Sequence, residues 1–292
     1  MPFDEKNVIL ISTGPLAGTL SPTSGRVVMS MISPVPHPIP WYTHSTMGAW
    51  FAGQMKYAGY DVIMIRGISK SKVYLQIIDG RVAINNAEDL WGKDTIETQK
   101  ILKARVDMEA QVMTIGPAGE NRAYVSTVHH DLDNAAGHSG FGAVWGSKRL
   151  KAIVICGTGG VRVAYPDKLI REFERVGKFR INPAWKCIDY RKEENSDGSR
   201  LRDVKPVCSQ SCTNNCHVAM YRQISDGRKI NTFCLGRAYD LMQTEYRMTG
   251  TDIQVPAVEP FGTEYATNLH DACNRLGLDT WSRITFQPFL AA

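Results

Sequence analysis

Three cysteines, Cys208, Cys212 and Cys216, fall within nine residues and are followed directly by His217. Core packing does not call for that density, because a buried cysteine packs only as a small hydrophobe. Three thiolates offered from one short stretch suit zinc, an iron-sulfur cluster or a disulfide framework. The total of seven cysteines is odd, and the opening Met1-Pro2-Phe3-Asp4-Glu5-Lys6-Asn7 does not read as a secretory signal, so thiols or metal ligands are favoured over disulfides. Zinc held by the three cysteines and His217 would be strained, since adjacent residues rarely both reach one tetrahedral ion. A second set, His129-His130-Asp131, sits on a predicted strand, where neighbours point to opposite faces and joint ligation is disfavoured. Cys156, Cys187, Cys234 and Cys273 read as packing residues, with Cys234 and Cys273 also candidates for a further ligand if the stretch binds a cluster.

The rest of the chain has to position these groups. Its 292 residues are 43% hydrophobic and 22% charged, an ordinary mixture for a folded protein of one large or two ordinary domains. No run approaches the roughly 20 apolar residues that cross a bilayer, and the expected location is the cytoplasm. The formal charge of +5 is spread among acids, which predicts a solvated surface and no nucleic-acid partner.

Short apolar, β-branched runs predict strands at Val8–Ile11, Val27–Met31, Asp61–Gly67, Val73–Ile78, Val82–Ile84, Gln111–Ile115 and Lys151–Ile155. Asp79-Gly80 predicts a tight hairpin. Residues 33–50 hold four prolines at alternate positions, which predicts an extended, irregular connection. Trp50–Ala58 has helical spacing and ends at Gly59, and Asp94-Thr95-Ile96-Glu97 opens a further helix as a capping box whose Ile96, Ile101 and Leu102 face a core. Residues 135–148 read as a glycine-rich loop. The glycines at 157–160 lack the spacing and following helix of a dinucleotide fingerprint. Arg26, where a loop becomes a strand, suits a phosphate, a carboxylate or a surface ion pair. A strand-rich first half with several glycine-rich loops suits a flat, phosphate-bearing cofactor held by backbone contacts.

Five motifs in order, Gly14-Pro15-Leu16-Ala17-Gly18-Thr19, Ser24-Gly25-Arg26, Lys56-Tyr57-Ala58-Gly59-Tyr60-Asp61, Ile115-Gly116-Pro117-Ala118-Gly119-Glu120-Asn121 and Gly140-Phe141-Gly142-Ala143-Val144-Trp145-Gly146-Ser147-Lys148, resemble the tungsten-containing aldehyde ferredoxin oxidoreductase family. The resemblance is dense over residues 1–160 and continues in two islands, the cysteine stretch and Asn274-Arg275-Leu276-Gly277-Leu278-Asp279-Thr280. It implies an α+β fold: a β-rich base domain (1–160) binding tungstopterin, followed by a mainly helical, incomplete domain (161–292) that carries the iron-sulfur cysteines.

Residue by residue, it implies that Arg26 contacts a pterin and lies near the cluster, and that Thr46, Met47, Gly48 and Ala49 line a pterin loop. His138, Ser139 and Gly140 would belong to a second loop, whose backbone helps hold a magnesium ion bridging the pterin phosphates. Asn274, Gly277, Leu278 and Asp279 would hold a pterin ring from its edge. Cys208, Cys212 and Cys216 would bind a 4Fe-4S cluster. The chain departs from the family at Thr46 (usually asparagine), at His138 (usually arginine), and in a first cysteine spacer of three residues where two is usual. Set against family members, the chain looks partial at both ends or naturally shortened.

The implied activity is oxidation of aldehydes to carboxylic acids, with electrons passed through the cluster to a ferredoxin or an iron-sulfur electron-transfer subunit, in an oligomer. His44 and Glu264 border the implied cofactor loops and are candidates for the acid or base. A benzoyl-CoA reductase-like subunit acting on an aromatic CoA thioester is the second reading, which the sequence around Met47–Phe51 and Thr46 fits. A non-catalytic iron-sulfur electron-transfer or scaffold subunit is the third.

Overall fold

The computed structural model describes residues 1–36, 38–131 and 134–177, then 202–204, 219–223, 229–232, 246–247, 254–255, 263–280 and 282. They fall into two compact units, the first holding residues 1–177 and 274–279. The fold is mixed α+β.

Two sheets form the first unit. In one, β1 (Ile9–Thr13), β2 (Val27–Ile32), β3 (Tyr42–Met47) and β4 (Val62–Ile65) run in the order β3-β2-β1-β4, all antiparallel. The other contains β5 (Val73–Ile78), β6 (Arg81–Asn86), β7 (Gln111–Ile115), β8 (Val128–His130), β9 (Asn134–Ala136) and β10 (Leu150–Cys156), ordered β6-β5-β10-β7-β8-β9. Only β5 and β10 pair in parallel. Asp79 and Gly80, which join β5 to β6, both have positive φ, at 43° and 79°, as the shortest hairpin turns require.

Period-2 alternation divides the core. Ile153 and Ile155 of β10, with Leu75 and Ile77 of β5, face the first sheet, α1 (Phe51–Tyr57) and α4 (Phe141–Ser147). Ala152 and Val154 point the other way, onto Leu102 of α2 (Thr95–Val106). Both faces of β10 are thus covered, so its Ala152–Ile155 stretch reads as a continuous apolar run. Helix α2 starts at Asp94, whose carboxylate accepts the Glu97 N–H at 2.7 Å. Only half of the expected capping box forms, because the Glu97 side chain pairs with Lys93.

Two expectations need correction. The proline-rich stretch is irregular only to Pro40, after which β3 pairs with β2 over its whole length. Its Thr-His-Ser-Thr sequence shows no apolar alternation, because side chains on one face are exposed. The glycine-rich 135–148 segment contains α4, which is seven residues long. Its glycines serve close packing: a Cβ at Gly146 would lie 1.9 Å from the Gly119 carbonyl oxygen, beside the four-residue helix α3 (Pro117–Glu120).

The adjacent histidines of β8 are core residues, each about 1% exposed. His130 Nδ1 lies 2.9 Å from the Val112 carbonyl oxygen, which can only accept, so Nδ1 carries the proton. Burial, partly offset by Asp131, holds the His130 imidazole below its ordinary pKa. In the native state it stays neutral where the unfolded chain would protonate, so its stabilising contribution is complete above about pH 6.5 and is lost as pH falls below that value. Urea midpoints measured from pH 8 to pH 5 should fall more steeply for the natural chain than for His130→Gln, and parallel slopes would remove His130 as the cause.

The second unit contains β11 (Arg202–Val204), β12 (Ala219–Gln223) and β13 (Lys229–Thr232) as one antiparallel sheet, and β14 (Tyr246–Arg247) paired with β15 (Gln254–Val255). Helices α5 (Pro166–Gly177) and α6 (Thr263–Leu276) are the longest described elements after residue 161. Among the described residues no helix is long and apolar enough to cross a membrane.

Candidate cofactor site

Strand β3 ends at Met47, and Gly48 and Ala49 follow before α1, with Ala49 at φ 72°. Tyr42, His44 and Thr46 share the exposed face of β3, while Ser45 and Met47 point inward. Arg26, just before β2, extends its guanidinium to the Thr46 hydroxyl at 3.0 Å. Its other donors have no partner among the described residues, which leaves an exposed cation at the end of the sheet.

The loop from Gly137 to Gly140 lies against the inner side of β3. Ser45 Oγ donates to the Gly137 carbonyl at 2.9 Å, and the buried Ser33 donates to the Ser139 carbonyl at 2.6 Å. His138 and Gly140 both adopt left-handed backbone, at φ 61° and 62°. At Gly140 a Cβ would meet the Tyr124 carbonyl oxygen at 2.5 Å, so glycine is required there by space as well as by angle.

Segment 274–279 completes the group. Gly277, at φ 75°, accepts the Thr127 N–H at 2.9 Å through its carbonyl, Leu278 bridges Ser126, and the Asp279 N–H donates to Val125 at 2.8 Å. Thr95 Oγ1 donates to the Asn274 carbonyl at 2.8 Å, and Arg275 reaches Asp94 at 3.0 Å. The Asp279 carboxylate is buried and accepts the His138 N–H.

Thr46, Met47, Gly48, Ala49, His138, Ser139, Gly140, Asn274, Gly277, Leu278 and Asp279 are therefore gathered by direct bonds between their segments, with Arg26 attached through Thr46. His44 stands exposed in line with Thr46. Cys208, Cys212, Cys216 and His217 lie outside the described residues, as do Cys187, Cys234 and the Glu264 side chain. Among the described residues no three His, Cys, Asp or Glu side chains form a group fit to hold a metal. Ser33, Ser45, Thr95 and Gly116 shape the site without any sequence signal that marks them individually. Left-handed backbone, small residues and a guanidinium with open donors suit a phosphate-bearing cofactor bound by main chain and one arginine.

Residues 1–157 match the model of the aldehyde ferredoxin oxidoreductase N-terminal domain. The chain is 41% identical over 184 residues to the tungsten-containing aldehyde ferredoxin oxidoreductase of Pyrococcus abyssi, covering 62% of this chain and 30% of that protein. It is 36% identical over 199 residues to an aliphatic sulfonate oxidoreductase, WOR-like subunit, of Pyrococcus furiosus, covering 59% of this chain and 30% of that one. In structure it is similar to a chain of the active site complex BamBC of benzoyl coenzyme A reductase in complex with 1,5-dienoyl-CoA, with a TM-score of 0.75, 25% identity, and 96% of this chain and 46% of that chain covered. The chain spans under a third of the length of these two sequence relatives. The family model covers more than half of the chain, in agreement with the sequence motifs: this chain belongs to the aldehyde ferredoxin oxidoreductase family.

Proposed function

We propose that this chain is the cofactor-binding part of a tungsten-dependent oxidoreductase that converts aldehydes to carboxylic acids. The observation that supports this most directly is the convergence of segments 46–49, 137–140 and 274–279, with Arg26 at their edge. Arg26 would meet the anionic part of a tungstopterin, and the main chain at Ala49, His138 and Gly140 would approach it closely. Carbonyl oxygens of the same loops would hold a magnesium ion that offsets the cofactor's negative charge. When bound, the tungstopterin would supply a two-electron redox centre and a 4Fe-4S cluster on Cys208, Cys212 and Cys216 a one-electron exit. Aldehyde and water yield carboxylic acid, two protons and two electrons; the electrons would pass to a ferredoxin or an iron-sulfur subunit. His44 and Glu264 are the candidates for moving a proton. The working enzyme would be an oligomer in the cytoplasm.

The likeness to a benzoyl coenzyme A reductase complex over 96% of the chain favours a second reading, reduction of an aromatic CoA thioester. Turnover of the metal-loaded enzyme with aldehydes and with aromatic thioesters separates the two. Elemental analysis should find tungsten and about four irons per chain; iron without tungsten or molybdenum would establish an electron-transfer subunit instead. Cys212→Ser should abolish the broad visible absorption of the cluster, and its survival would remove the cysteine stretch from the site.

A further inference from the structure

We propose that Asp279 is a latch between two cofactor loops, a positioning residue that sets the backbone of 137–140 only when 274–279 is docked. The Asp279 side chain is 5% exposed, and a buried carboxylate needs donors. Its Oδ2 accepts the His138 N–H, a bond between residues 141 positions apart. The carboxylate packs directly over the Gly137 backbone: Oδ2 lies 3.5 Å from where a Cβ would stand, an ordinary contact distance. The bonded amide belongs to a non-glycine residue in left-handed backbone, at φ 61°, a conformation that side-chain sterics disfavour and that surrounding structure must enforce.

Across the loop, Ser33, just after β2, and Ser45 of β3 hold the flanking carbonyls of Ser139 and Gly137. The loop is therefore clamped from two sides, by serines that arrive early in the chain and by an aspartate that arrives late. Asp279 is itself placed by its own N–H on Val125 and by the Gly277 carbonyl on Thr127. Docking of 274–279 thereby becomes a condition for the shape of 137–140, so the two loops take up a cofactor as one unit. Only this last consequence rests on reading both loops as cofactor-holding; the latch does not.

Amide hydrogen exchange in the full chain, prepared without cofactor, tests the latch directly. Asp279→Ala should speed exchange at His138 by about tenfold or more, the loss of one buried hydrogen bond, while Val154 in β10 stays protected. Asp279→Asn keeps an acceptor oxygen and should retain most of the protection. Unchanged exchange at His138 in Asp279→Ala would overturn the proposal. In the loaded enzyme, oxidised-pterin fluorescence should show faster release from Asp279→Ala than from Asp279→Asn or the natural chain. Equal release from all three would overturn the coupling of the loops. Fast His138 exchange in the loaded natural chain would also overturn the latch, since the carboxylate would then have left the amide. Absence of tungsten and pterin from the natural enzyme would sink the proposed function and leave the exchange result standing, so the two failures are distinguishable.

Discussion

Gly116→Ala is expected to force segment 274–279 away from residues 125–127 and to disrupt the proposed cofactor site with it. A Cβ at Gly116 would lie 2.3 Å from the Leu276 carbonyl oxygen, 2.4 Å from its carbon and 2.8 Å from the Gly277 nitrogen. All three are backbone atoms, so no side chain can swing aside. The φ of Gly116 is −91°, ordinary for any residue, and the cost is therefore one of space alone. Overpacking of this kind costs about 1–3 kcal/mol and more where the neighbour is rigid. The two segments would separate by losing the Thr127 and Asp279 backbone bonds. Exchange at those two amides should rise sharply while Val154 stays protected, and tungsten content should fall in parallel. Unaltered protection at Thr127 would show that the two backbones part without cost.

The second large effect concerns an ion pair. Lys151 lies on β10 and is fully buried, and its ammonium donates to the Lys93 carbonyl at 2.8 Å, to the Ile115 carbonyl at 2.9 Å and to Glu120, which is also nearly buried. Glu120 further accepts the Gly92 N–H at 2.8 Å. Removing one partner of a buried pair leaves an uncompensated charge, so Glu120→Ala should cost about 3–5 kcal/mol in urea unfolding, and Glu120→Gln less. Burial pushes the Lys151 pKa down while Glu120 pushes it back up. With Glu120 gone, the folded-state value falls further below the unfolded one. The unfolded chain then binds the extra proton, and Glu120→Ala should regain stability as pH rises toward about 10.4. A loss below about 1 kcal/mol, or no recovery at high pH, would mean the ammonium finds water instead.

The elements legible in the sequence were those with strong local patterns. The β-branched runs, the Asp79-Gly80 turn and the Asp94 cap each state their conformation through neighbours a few residues away, and each appears in the structure. The ordered glycine motifs of residues 14–148 were likewise enough to indicate the family. Strand β3 and helix α4 were missed for the same physical reason: their conformations are imposed from outside. The polar Thr43–Thr46 stretch is a strand because β2 offers it a ladder, and glycine-rich α4 is a helix because Gly142 and Gly146 seat it against Thr127 and Gly119.

By itself, then, the sequence determined the residue types the site can draw on: an arginine at a strand entrance, small residues where backbone must approach a ligand, and three closely spaced thiols. Their assembly was a tertiary matter. Nothing local to Gly137–Gly140 or to Asn274–Asp279 says that the two are neighbours, because the hydrogen bond between them closes a loop of 141 residues. That closure is stabilised by what lies underneath, the glycine at 116 that admits Leu276 and the serines that hold the opposite side, and only packing brings those groups together.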